Sequence, residues 1–125
     1  MEQTLFVGIV VHDPLVSHDI SGIFAFWRAG SVCRGFDTLQ QIRQLPEETS
    51  FDPGLVFIAA QDGVLNLDAD DILWLEQRAV ITLDLQDRAQ FAQWRHLTRP
   101  FTQEQVIQAA YDLIEEGCAG RSQAG

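Results

Sequence analysis

The sequence predicts an α/β protein: a doubly wound, five-stranded parallel sheet with helices on both faces. Two observations predict it. Apolar runs of strand length recur at LFVGIVV (5–11), LVFIAA (55–60) and AVITL (79–83). They are continuous rather than alternating, as in strands buried on both faces. Between them lie segments whose apolar residues recur at helical spacing, and such alternation implies parallel strands joined by crossover helices. At 125 residues the chain has the size of one domain with a real core.

LFVGIVV is followed by His12-Asp13-Pro14 and then by LVSHDISGIFAFWRAG. There Leu15, Val16, Ile20, Ile23, Phe24 and Trp27 share a helical face, and Gly30 suits the exit. SVCRGF is a short second strand, with Cys33 read as a small buried residue. Asp37 or Thr38 then caps a helix whose face is Leu39, Ile42 and Leu45. After LVFIAA comes a loop, and Asp68, Asp70 or Asp71 is placed to cap a helix around DILWLEQR. DLQDRAQFAQWR reads as a short helix following AVITL, and HLT as the last strand. Thr102 opens the final helix, and Gln105 completes a capping box three residues on. Its buried stripe is Val106, Ile107, Ala110, Leu113 and Ile114, and Gly117 is expected to end it. Trp27, Trp74 and Trp94 read mostly as helix–sheet packing.

The formal charge is −10, and all eight basic residues are arginines. An acidic surface disfavours phosphate backbones, so no nucleic-acid partner is expected. The missing lysine excludes any mechanism that needs a lysine ammonium from this chain. No apolar run reaches the ~20 residues of a membrane helix, and the start lacks a signal-peptide pattern, so the cytoplasm is the expected location. Cys33 and Cys118 have no metal or redox spacing, and no disulfide between them is expected. His12 and His18, six apart around Pro14, read as surface residues rather than metal ligands. No metal or cofactor is expected. In a doubly wound sheet ligands bind at the carboxyl ends of the strands. Here those ends carry His12-Asp13, Ala60-Gln61-Asp62, Asp84 and Arg99-Pro100.

With these residues in order, the chain resembles the receiver domain of bacterial two-component response regulators from about residue 4 to 116. HLTRPF is similar to the family's last strand with its Lys-Pro-Phe signature, and that match is the most specific. IVVHDPLVSHDI, DPGLVFIAA and AVITLD look like the first, third and fourth strands. The resemblance implies the flavodoxin-like strand order 2-1-3-4-5 and a receiver-like domain over residues 1–116; beyond that domain, a disordered tail over 117–125 is expected. It also implies a cis Arg99–Pro100 bond, which suits the tight corner between the last strand and the helix that Thr102 caps.

Receiver phosphorylation needs an acceptor carboxylate, acids that hold magnesium, and a hydroxyl and a cation that stabilise the transferred group. The resemblance places the acceptor at Ala59, the acidic pair at Val11 and His12, the hydroxyl at Asp84 and the lysine at Arg99. Every one of these positions departs from the family pattern. Asp13 becomes available as an acid only with a one-residue slip, and Asp62 is either an alternative acceptor or a turn residue. Asp84 is placed to pair with Arg99, filling the pocket with its own side chains. The expectation is a stand-alone degenerate receiver, not an enzyme, acting as a phosphorylation-independent interaction module in signalling. Its partner is a signalling protein, a histidine kinase or another regulator. It is monomeric or a weak homodimer, through a face that includes His96, Gln105 and Gln108. The alternatives are a small-ligand or nucleotide-binding domain using the strand-end crevice, and a metal-dependent phosphotransfer protein using Asp13, Asp62 or Asp84.

Overall fold

The computed structural model describes residues 5–45, 51–86 and 89–124, with side chains as far as Ile114, Gln90 excepted. Strands β1 (Phe6–Val10), β2 (Val32–Phe36), β3 (Leu55–Ala59), β4 (Ala79–Leu83) and β5 (Arg95–Leu97) form one sheet. Its order is β2-β1-β3-β4-β5, and every neighbouring pair is parallel. Helices α1 (Pro14–Trp27), α2 (Leu39–Arg43), α3 (Ala69–Glu76) and α4 (Gln103–Ala124) supply the crossovers and the last element. The predicted class and strand order are therefore both present. Among the described residues no helix is long and apolar enough to cross a membrane.

Successive strand residues point to opposite faces, so each apolar run feeds two cores. Val7, Ile9, Phe57 and Ile81 pack beneath Ile20 and Phe24 of α1 and Val106 and Ala110 of α4. Val56, Ile58 and Val80 pack on the other face against Leu39, Ile42, Leu75, Phe91 and Trp94. Fully burying one such side chain stabilises by about 1.5–3 kcal/mol, which is why the continuous runs are diagnostic.

The helix starts follow from local chemistry. Asp13 accepts from the Leu15 N–H at 2.9 Å, with Pro14 in the first turn, where its missing N–H is harmless. Thr38, not Asp37, caps α2. Asp68 caps α3 in a reciprocal box: it accepts from the Asp71 N–H at 2.7 Å, and the Asp71 carboxylate accepts from the Asp68 N–H at 3.1 Å. Thr102 and Gln105 make the same exchange at 3.1 and 2.8 Å. The Arg99–Pro100 peptide bond is cis, as expected.

Three expectations are corrected. DLQDRAQFAQWR forms no α-helix in its described part, but a single 3₁₀ turn at Ala89–Phe91. The Phe91 ring stacks on Trp94 at 4.6 Å, and both are buried with Leu85. That arrangement satisfies the apolar residues without a helical stripe. The last helix does not stop at Gly117 but continues to Ala124. Glycine lowers helix propensity by about 1 kcal/mol but keeps its N–H, so it does not break a helix as proline does. Cys33 is only half-buried, because β2 is an edge strand.

Candidate functional site at the strand ends

The carboxyl ends of β1, β3, β4 and β5 converge on one crevice. Asp84 follows β4 with φ 61°, a left-handed conformation that aspartate tolerates better than most residues. Its N–H donates to the Leu97 carbonyl at 2.8 Å, which ties it to β5. The carboxylate then accepts twice from one residue: from the Arg99 backbone N–H at 2.8 Å and from Arg99 Nε at 2.6 Å. Burial pushes the Asp84 carboxyl upward. The backbone bond, the side-chain bond and the charge of Arg99 outweigh that and hold it below its ordinary value. Arg99 Nη1 also lies 3.9 Å from Asp13 Oδ2, so one guanidinium faces two carboxylates.

The sequence thus anticipates the Asp84–Arg99 pair but not the third partner, Asp13. Ala59 ends β3 and lines the crevice beside Val11 and His12. Val11 is buried, and its N–H donates to the Phe36 carbonyl at 3.2 Å. Its backbone is therefore structural and its side chain has no ligand atom. Asp62 lies elsewhere, at an exposed hairpin tip. Gln61 and Val64 exchange two backbone bonds of 3.0 Å, and Asp62 and Gly63 take φ 54° and 79° between them. Positive φ at both central residues is a type I′ turn, which Asp-Gly favours. Pro100 makes the exposed cis corner. Among the described residues no group of acids, histidines or cysteines could hold a metal.

His96 is half-buried in β5 rather than displayed. Its Nε2 lies 2.9 Å from the Phe91 carbonyl and its Nδ1 2.7 Å from the Thr82 hydroxyl. A carbonyl only accepts, so in the neutral ring Nε2 carries the proton and Nδ1 accepts from Thr82, which is fully buried. Gln105 and Gln108 are exposed on α4, the first engaged in the cap and the second donating to Asp112 at 2.8 Å.

Sequence reasoning missed where the open space lies. A cavity of about 540 Å³ extends from the crevice toward β2, taking in Asp37, Leu39 and the connection from β3 to α3. Asp71 lines it too, buried and ion-paired with Arg43. The available signal was Asp37-Thr38 at the end of β2, beside the place where strand order reverses.

This sheet order, with the crevice at its carboxyl edge, is the fold of response-regulator receiver domains. A CheY-like response regulator from Mesorhizobium loti superposes with a TM-score of 0.68 at 15% identity, over 89% of this chain and 99% of that one. The signal receiver domain of a Vibrio parahaemolyticus protein described as a Luxo repressor gives 0.72 at 12% identity, over 98% and 99%. A response regulator receiver protein from Burkholderia phymatum gives 0.64 at 16% identity, over 90% and 96%. No family model and no curated protein matches the sequence.

Proposed function

We propose that this chain is a phosphorylation-independent interaction module in signal transduction: a receiver-fold domain held in one state by its own side chains, without catalytic turnover. The observation that carries the reading is Arg99 bonded twice to Asp84, at the edge where Ala59 ends β3. A methyl group accepts no phosphoryl group, and Arg99, the one guanidinium lining the crevice among the described residues, is already answered by a carboxylate. Of the two other acids weighed as acceptors, Asp13 caps a helix and Asp62 sits in a hairpin turn away from the crevice.

The partner is a protein that meets the surface around β5, the 3₁₀ turn and α4. Gln105 and Gln108 present polar groups there, while His96 braces the strand from within. Treatment with acetyl phosphate, or with beryllofluoride, in the presence of magnesium tests the reading. The intact mass is expected to stay unchanged, and the amide spectrum to keep its positions at residues 59–62 and 84. A stoichiometric phosphoryl adduct, or saturable shifts at those amides, overturns it.

A further inference from the structure

We propose that the cavity at the carboxyl ends of β1, β2 and β3 binds a small organic cation on an apolar body, a primary amine in chemical class. The inference does not depend on the interaction role above, although Ala59 and Arg99 border both. The volume of about 540 Å³ falls within the ~300–1,000 Å³ of small-molecule sites. Its floor is apolar, built by Val11, Leu39, Ile58, Ala59 and Leu65. Alanine at position 59 extends that floor where any longer polar side chain would interrupt it.

Charge decides the ligand. Among the described residues, three carboxylates, Asp13, Asp37 and Asp71, and one guanidinium, Arg99, line the cavity. Arg43 answers Asp71, and Asp84 answers Arg99. What remains is Asp37, whose carboxylate meets no donor among the described residues, and Asp13, whose Oδ2 lies 3.9 Å from the shared guanidinium. The residual field is negative, and the chain's charge of −10 reinforces it. A nucleotide or phosphate is repelled by this field. An ammonium is drawn to the Asp37 side, with its apolar body on the floor.

Tryptamine and indole-3-propionate share an aromatic body and differ in the sign of charge, so they make a matched pair. Titration of each into the folded chain, followed by amide NMR, should show saturable tryptamine shifts at residues 11–13, 37–40 and 59–60. Indole-3-propionate should bind at least about tenfold more weakly, and Asp37→Asn should weaken tryptamine about two- to fivefold, as for an exposed charge pair. Ala59→Leu fills the floor without changing charge and should abolish the shifts while circular dichroism stays native. Equal binding of the anion, tryptamine shifts that map elsewhere, or no saturation up to about 10 mM overturns the proposal. So does displacement by magnesium chloride beyond that of sodium chloride at equal ionic strength, which would assign the cavity to a metal. No arm uses a phosphodonor, so this result stands or falls apart from the test of the interaction role.

Discussion

Replacing Asp84 and Arg99 by alanine, singly and together, should give unequal and non-additive losses of stability. The Asp84 carboxylate accepts both the Arg99 backbone N–H and Nε, and its side chain is 25% exposed. Asp84→Ala removes both bonds and leaves alanine at φ 61°. A hydrogen bond to a charged group in partial solvent, together with the backbone strain, gives a loss of about 2 kcal/mol. Arg99→Ala removes only the side-chain half, from a residue 45% exposed, and keeps the backbone bond. Exposed pairs are screened by water, so its loss should be about 0.5–1 kcal/mol. The pairwise coupling should be of that same size. Asp84→Asn, which keeps an acceptor and tolerates positive φ, should cost about as much as Arg99→Ala. Urea unfolding of the four members of the cycle, with equal m-values, measures these differences. Additivity within about 0.3 kcal/mol, or an Arg99→Ala loss equal to that of Asp84→Ala, would refute the reasoning.

The same pair fixes a dependence on pH. The folded Asp84 carboxyl lies below its unfolded value of about 3.9, so its contribution is present above pH ~4 and is lost as pH falls through the folded value. The stability gap between wild type and Asp84→Asn should therefore be constant near neutrality and shrink in acid; a gap that widens in acid contradicts the assignment. Asp71→Ala should cost about 2–3 kcal/mol in urea unfolding, because it opens the cap of α3 and strips Arg43 of a buried partner, whereas Asp68→Ala should cost about 1 kcal/mol. Thr82→Val keeps shape but removes the buried hydroxyl bonded to His96 Nδ1, with a loss of about 1 kcal/mol and a shift of the His96 ring signals.

The strands and caps were legible because each rests on a short-range rule. β4 coincides with AVITL, and the capping box at Thr102 depends on residues three apart, whereas the choice of Asp68 among three nearby aspartates needed the structure. The region after β4 was not, because Leu85, Phe91 and Trp94 are held by tertiary burial and a ring stack rather than by helical periodicity. In the crevice, Asp84 and Arg99 were readable as facing strand ends, since topology alone brings them together. The approach of Asp13 was not, because it depends on where a long, flexible guanidinium comes to rest. His96 was assigned to the interaction face through the resemblance. Its inward bonds need the register that sets it opposite Thr82, which only the paired strands supply.

The position of β1 has a consequence for the birth of the protein. β1 is made first yet lies inside the sheet, and its partner on one side is β3, with Val7 opposite Leu55. Parallel pairing over such a span closes a long loop before any ladder bond repays it, and this slows folding. A ribosome adds about 5–20 residues per second, so roughly 2–10 s separate the synthesis of the two strands. Until β3 is made, FVGIV, without charge or proline, has at most the edge strand β2 to pair with. It is then the segment of the nascent chain with most to gain from pairing with another molecule, and the one that a chaperone at the tunnel exit has most reason to cover.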